Sequence, residues 1–147
     1  MSSSLRPGGP GSKGRTKGKK TQAWRSSRAQ FELLVEEALR GIPEFFRSRL
    51  ENVAVVVEER PSPDQLADLG MSRRDTLLGL YEGIPITERG DWYNLVIPDR
   101  ITLFRRPIVA MCRSAEEVRE QVRLTVLHEV AHFYGISDEE LDRMGYS

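Results

Sequence analysis

The chain has 147 residues, 39% of them hydrophobic and 30% charged, which is typical of one globular domain with an apolar core. No apolar run reaches the length of a membrane span, and the first residues lack the apolar segment of a signal peptide. Cys112 is the only cysteine, which excludes an internal disulfide and a cysteine-rich zinc module. These features predict a cytoplasmic protein without a membrane partner.

The formal net charge of zero hides an uneven distribution. Residues 1–28 carry eight basic side chains and no acidic one, so the rest of the chain is net negative. The first 22 residues are also rich in Gly, Ser and Pro, and such a segment buries too little apolar surface to offset its ordering entropy. We predict a disordered basic tail over residues 1–27 and one domain over residues 28–147. The tail is interpreted as a solvated extension; contact with nucleic acid is the alternative, without support from aromatic residues or a known module.

The first predicted elements are helix, short helix, strand and helical turn. RAQFELLVEEALRGIP, residues 28–43, has apolar residues at helical spacing and ends in Gly and Pro. PEFFRSRL then favours a short helix, and NVAVVVEER, which is apolar and β-branched, favours a buried strand. SPDQLADLG is typical of a capped helical turn.

A strand is predicted at Thr76–Glu82, and one or two more are predicted around Leu95–Ile97 and Arg100–Phe104. Pro98 and Pro107 bracket the last of them. Because proline is tolerated mainly at strand ends and edges, we interpret this strand as an edge strand.

A long helix is predicted from Ser114 to Gly135, and a short helix follows it. Both begin with a Ser-x-x-Glu capping box, and a glycine after a helix favours a left-handed turn there. The order of helix, strands and helices predicts an α+β fold, in which a small mixed sheet packs against helices.

The long helix contains both histidines of the chain, within TVLHEVAHFYGISDEEL, residues 125–141. At about 100° per residue, Thr125, His128, Glu129 and His132 share one polar face. The opposite half is apolar and is expected to pack on the core. It consists of Leu124, Val126, Leu127, Val130, Ala131, Phe133 and Tyr134.

Two histidines one helical turn apart can reach one zinc ion with Zn–N distances of about 2.0–2.1 Å. Glu129 lies on the flank of the same face and can reach a water on the metal without being a ligand. Zinc lowers the pKa of such a water toward about 7, and a carboxylate can take its proton while the hydroxide attacks a carbonyl. The pattern predicts zinc-dependent hydrolysis with Glu129 as general base. The alternative is an ordinary helix that carries two histidines on its surface.

A third protein ligand must be a carboxylate or Cys112, because no other histidine exists. Asp138 is favoured, since Gly135 permits a sharp turn that brings Asp138 back beneath the ion. The dipole of the last helix would also favour an acidic residue there without any metal. Cys112 is expected to be a small buried apolar residue. Three acidic residues remain as alternatives: Glu139, Glu140 and Asp142.

At this point the sequence resembles the small bacterial zincin-like metallopeptidases, or minimal zincins. The matching segments are VAVVVEERP, LLGLYEGIPITERG, PDRITLFRRPI and TVLHEVAHFYGISDEELDRMGY, over roughly residues 45–147. The resemblance implies a compact α+β zincin-like domain. It also implies one Zn²⁺ bound by His128, His132 and Asp138, with Glu129 as base, but it implies no particular substrate. A peptide or protein is the partner expected of a peptidase.

In zincins an edge strand above the active-site helix pairs with an extended peptide through main-chain hydrogen bonds. The resemblance therefore makes the predicted edge strand the substrate-binding candidate: Arg100, Ile101, Thr102, Leu103 and Phe104. The alternative is an edge strand that its flanking arginines and proline protect against aggregation.

Tyr146 is the candidate for stabilising the oxyanion. It is preferred to Tyr134, which the helical projection places in the apolar half. The predicted function is a zinc-dependent peptidase. A non-catalytic zinc-binding domain that binds a peptide or protein is the alternative, because a domain of 120 residues has little room for a deep cleft.

Overall fold

A computed structural model describes residues 26–72, 76–83 and 98–146. The predicted strand Leu95–Ile97 and the predicted basic tail up to residue 25 lie outside these ranges. Within them, no helix is both long enough and apolar enough to cross a membrane.

Six α-helices and one 3₁₀ turn form in the described part of the chain. Four helices begin at a serine whose hydroxyl accepts a main-chain N–H, and in three of these the capping box is complete. The helices are α1 (Arg28–Arg40), α2 (Glu44–Arg47), α3 (Pro63–Asp68), α4 (Arg105–Ala110), α5 (Ala115–Phe133) and α6 (Asp138–Arg143), and the 3₁₀ turn is Ser48–Leu50.

Within the described ranges, three strands form one mixed sheet: β1 (Val53–Glu58), β2 (Gly79–Glu82) and β3 (Asp99–Phe104). Their order is β1-β3-β2, with β1 parallel and β2 antiparallel to β3. The domain is therefore a compact α+β fold in which α5 packs against α1 on one side and against the sheet on the other. This confirms the predicted fold class.

The main core lies between α1, α5 and one face of the sheet. Its fully buried side chains include Phe31 of α1, Ile101 and Leu103 of β3, and Val126 of α5. A smaller cluster lies on the other face of the sheet, where Leu66 of α3 packs with Phe104. The alternation of side chains along β3 explains this division, because successive residues point to opposite faces of a sheet.

The prediction that Arg100–Phe104 is an edge strand is wrong. β3 is the central strand and has a hydrogen-bonded partner on each side. Pro98 precedes β3, and Pro107 lies in the first turn of α4, where a missing N–H leaves no hydrogen bond unmade. Neither proline interrupts the sheet, so neither marks an edge.

The substrate-binding role predicted for the same strand depended on an open edge, which β3 does not have. Pairing with β1 and β2 already uses the main-chain groups of the five residues concerned, which are Arg100, Ile101, Thr102, Leu103 and Phe104. All except Arg100 are fully buried. A peptide could not add to β3 without displacing a strand.

Three local features also differ from the prediction. Helix α4 was not foreseen; Pro107 is its third residue, a position whose main-chain N–H would have no acceptor within the helix. At the start of α5 the hydroxyl of Ser114 accepts the N–H of Glu117 as predicted, but the Glu117 carboxylate accepts the N–H of Arg113 instead of that of Ser114. The predicted strand Thr76–Glu82 begins later, at Gly79.

Candidate metal centre

The turn that joins α5 to α6 brings the three predicted ligands together. Gly135 has a φ of +83°, which favours glycine. Its N–H donates to the His132 carbonyl, and the N–H of Ile136 donates to the Ala131 carbonyl. This is a Schellman motif, and the chain reverses within it. The Ser137 capping box then begins α6 with Asp138 as its first residue.

His128, His132 and Asp138 converge on one point. The Nε2 atom of His132 lies 2.7 Å from Oδ1 of Asp138, and the Nε2 atom of His128 lies 3.7 Å from the same oxygen. The two imidazole side chains are 16% and 18% exposed, whereas the Asp138 side chain is 67% exposed. The site therefore has a well-packed side formed by the histidines and an accessible side formed by the aspartate.

A main-chain hydrogen bond orients His128. Its Nδ1 lies 2.8 Å from the carbonyl oxygen of Leu124, one turn earlier in α5. A carbonyl can only accept, so Nδ1 donates this hydrogen bond, and Nε2 is the ring nitrogen on the side of Asp138. This orientation leaves Nε2 as the atom that would bind a metal.

The donor types fit zinc chemically, and two of the distances between the donor atoms can be compared with those of a zinc site. Two ligands of a tetrahedral zinc ion, each about 2.0–2.1 Å from it, lie about 3.3 Å apart. The 3.7 Å separation between His128 and Asp138 is close to this value. The 2.7 Å separation between His132 and Asp138 is that of a direct hydrogen bond.

No three His, Cys, Asp or Glu side chains in the described ranges are spaced as a metal-ligand set. Lengthening the contact between His132 and Asp138 by about 0.6 Å would bring this one pair to the spacing of two zinc ligands. The Asp138 side chain is mostly exposed, so it has room to move.

Glu129 lies apart from the histidines, on the side of α5 that meets β2. Its side chain is fully buried, and its Oε1 accepts the main-chain N–H of Tyr81 at 3.1 Å. The predicted polar face of α5 is therefore divided. His128 and His132 lie at the rim, while Thr125 and Glu129 are buried.

The apolar half predicted for α5 is also wrong at its end. Phe133 is 42% exposed and Tyr134 is 49% exposed. The Phe133 ring stacks on the Tyr81 ring with 4.0 Å between centroids, so it covers β2 instead of entering the main core. The helical projection failed here because α5 ends at Phe133, so Phe133 and Tyr134 lie at the helix end, where both side chains remain partly exposed.

The residues considered as alternatives to Asp138 have other contacts or surroundings. Glu140 accepts the N–H of Ser137 in the capping box, and Glu139 and Asp142 are exposed on α6. Cys112 is 2% exposed, and burial raises the pKa of its thiol to about 11, so it remains a neutral side chain, as expected.

Tyr146 packs edge-on against Phe46 of α2, with 5.5 Å between ring centroids. Its ring therefore contacts the main core. Tyr134 does not point into the core, which removes the reason for preferring Tyr146 as the oxyanion group. That role stays a prediction for Tyr146.

The sequence-based prediction did not include the contact between β2 and Glu129. Tyr81 supplies the N–H that binds Glu129, and its hydroxyl donates to Oδ2 of Asp99 at 2.8 Å. Gly79 and Gly83 flank Tyr81 at a spacing of two. A glycine inside a strand pattern often marks a close approach of another element, and this signal was present in LLGLYEG.

Three features define a metallopeptidase-type domain. They are a helix with His-Glu-x-x-His, a turn that returns an aspartate to both imidazoles, and a small mixed sheet beside the helix. Residues 50–146 match the family model of zincin-like metallopeptidases, and the chain belongs to that family. The comparison with curated proteins found no significant match.

Proposed function

We propose that the protein is a zinc-dependent peptidase with one metal centre, whose ligands are His128, His132 and Asp138. The observation that carries the proposal is the approach of both Nε2 atoms to Oδ1 of Asp138, at 3.7 and 2.7 Å. Zincin-like metallopeptidases bind zinc, and these are the donor types that zinc prefers.

In this proposal the residues of the chain have separate tasks. The Leu124 carbonyl holds the His128 ring, and the Schellman turn holds Asp138 below it. Zinc, when bound, supplies a Lewis acid that polarises the scissile carbonyl and acidifies water. Glu129 takes the proton of the attacking water and delivers it to the leaving amine.

The position of β2 supports a peptide as substrate. In the described part of the sheet, β2 is an outer strand, and the Tyr81 N–H points away from β3 toward Glu129. An extended peptide along this edge of β2 would pass beside Glu129, and main-chain pairing of this kind recognises peptides without requiring a particular side chain.

One observation favours a second candidate, a non-catalytic zinc-binding domain that binds a peptide or protein. The Glu129 side chain is fully buried in this conformation, so water and substrate reach it only if part of its cover moves. In a binding domain the same carboxylate would serve only to hold β2 on α5.

The replacement Glu129→Gln separates the two candidates. It keeps the shape of the side chain and an oxygen that can accept the Tyr81 N–H. For a peptidase we expect about one zinc per chain and a loss in turnover of about 10²- to 10⁴-fold. Glu36→Gln, on the exposed face of α1, is the matched control and should change neither quantity.

Zinc content by elemental mass spectrometry, measured together with hydrolysis of a peptide library, checks these expectations. His128→Ala and Asp138→Asn should both lose zinc. If both variants keep the wild-type amount, the assigned ligands are wrong. If the wild type binds zinc but neither it nor Glu129→Gln hydrolyses any peptide, the binding domain replaces the peptidase.

A further inference from the structure

Helix α5 and strand β2 meet in a regular series of contacts. Thr125, Glu129 and Phe133 are successive residues along one side of α5, each four positions after the last. Opposite them lie Gly79, Tyr81 and Gly83, each two positions after the last. The Thr125 methyl faces Gly79, the Glu129 carboxylate accepts the Tyr81 N–H, and the Phe133 ring covers Tyr81 and Gly83.

The repeat of the helix matches that of the strand. Four residues of an α-helix rise about 6 Å, and two residues of a strand advance about 6.7 Å. Three consecutive contacts therefore stay aligned along the interface. Glu129 and Tyr81 occupy the middle position, with a glycine on either side of them in β2.

The two glycines allow α5 to lie this close to β2. A Cβ atom at Gly79 would lie 2.6 Å from the Thr125 methyl and 3.3 Å from the Thr102 carbonyl oxygen. A Cβ atom at Gly83 would lie 3.0 Å from the Phe133 ring. Any side chain at Gly79 would push β2 away from α5, because both elements are buried there and van der Waals contacts at 2.6 Å are repulsive.

We propose that Gly79 and Gly83, through their contacts with Thr125 and Phe133, are positioning residues that set the distance from β2 to Glu129. This inference rests on the proposed role of Glu129 as general base. The Tyr81 N–H holds the carboxylate at a defined place relative to His128 only while the strand stays at this distance. The near neighbours of a Cβ atom at either glycine include none of His128, His132 and Asp138, so the glycines act on Glu129 through β2.

The decisive experiment pairs Gly79→Ala with a compensating change. Thr125→Ser removes the methyl that the new Cβ would meet and keeps the hydroxyl, which donates to the Gln121 carbonyl. We expect Gly79→Ala to lower kcat about 10- to 100-fold at unchanged zinc content, because small misplacements of catalytic groups have effects of this size. The double variant Gly79→Ala/Thr125→Ser should recover most of that loss.

A second readout does not depend on hydrolysis. The hydrogen exchange of the Tyr81 amide, followed by NMR, reports whether its N–H is bound to Glu129. We expect faster exchange of this amide in Gly79→Ala and restored protection in the double variant. Gly41→Ala is the matched control, since its new Cβ would meet only the Ala38 carbonyl oxygen at an ordinary 3.6 Å.

The outcomes separate the inference from the proposed function. If Gly79→Ala has a lower melting temperature but keeps its kcat and its Tyr81 protection, Gly79 is only structural and the inference is overturned. The same holds if the folded double variant recovers neither quantity. If the wild type hydrolyses no peptide, the proposed function fails, and the Tyr81 exchange pattern still decides whether Gly79 positions Glu129.

Gly83 provides the test if Gly79→Ala does not fold. Gly83 is exposed and the Phe133 ring beside it can shift, so Gly83→Ala should fold. It should produce smaller changes of the same kind in kcat and Tyr81 exchange. Phe133→Leu in the same chain, which removes the ring atoms at 3.0 Å, should reverse them. Unchanged values in folded Gly83→Ala would contradict the inference.

Discussion

Two sides of helix α5 differ in how they pack. Toward the main core, α5 presents aliphatic side chains that fill the space beside α1 and the sheet, among them Val118, Val122 and Val126. Toward β2, it presents Thr125 and Glu129, which lie against a glycine and a main-chain N–H.

This difference shows that buried side chains contribute to the domain in two ways. The aliphatic side contributes stability through the apolar area it removes from water, and exact atomic distances matter little to that term. The β2 side buries polar groups, which contribute only if each finds its partner at hydrogen-bond distance. Substitutions on the two sides should therefore affect different measurements.

Phe31→Ala should have the largest effect on stability. Phe31 of α1 is fully buried in the main core, and removing its ring leaves a cavity. We expect the free energy of unfolding to fall by about 3–5 kcal/mol, measured by urea denaturation. The kcat of the folded, zinc-loaded variant should stay at the wild-type value, which is the opposite of the pattern expected for Glu129→Gln. If Phe31→Ala lowers kcat as much as Glu129→Gln does, the main core and the β2 side of α5 do not affect different measurements, and the comparison is contradicted.

Phe133→Leu tests the outer end of the β2 side. The variant keeps an apolar side chain but loses the ring that stacks on Tyr81 at 4.0 Å. Aromatic pairs contribute about 0.5–1.5 kcal/mol beyond the area they bury, and we expect a loss in the free energy of unfolding within that range. Leu33→Ala is the control, since Leu33 is 59% exposed and should show almost no loss. Equal losses in both variants would mean that the stack adds nothing specific.

Glu59→Gln tests a polar contact remote from both sides of α5. Glu59 accepts hydrogen bonds from Arg105 and Arg106, and the Arg105 guanidinium holds the pKa of its carboxyl below the ordinary value of 4.5. Its side chain is 38% exposed, so solvent screening limits the expected loss at neutral pH to about 1 kcal/mol or less.

The pH dependence of this contact has a definite sign. Because the pKa of Glu59 is lower in the folded state, the stabilisation is fully present above the unfolded pKa near 4.5 and is lost as the pH falls through the folded value. Urea denaturation of wild type and Glu59→Gln should therefore differ at pH 7 and converge in acid. A difference that persists or grows in acid would mean that the ion pair is not its cause.

Much of the candidate metal centre could be predicted from local sequence. The His-Glu-x-x-His spacing places both imidazoles on one side of a helix because of the helical repeat alone. Gly135 and the Ser137 capping box determine where α5 ends and α6 begins, and these two local signals return Asp138 to the histidines. Each depends on residues fewer than seven positions apart.

The order of the strands could not be predicted in this way. Pro98 and Pro107 suggested an edge, yet β3 pairs on both sides. Strand order depends on which distant segments meet. Proline constrains only its own φ and N–H, so it carries no information about a partner strand.

The sequence by itself determined five of the six described helices, the start of the last helix at Ser137, the spacing of the two histidines and the class of the fold, because these follow from periodicity and from hydrogen bonds between near neighbours. Only the tertiary structure decided that Glu129 is buried. Its partner Tyr81 lies 48 positions away in the chain, on a strand that two glycines allow to approach α5. A helical projection shows which residues share a side of the helix, but the element packed against that side determines whether they meet water or a main-chain N–H.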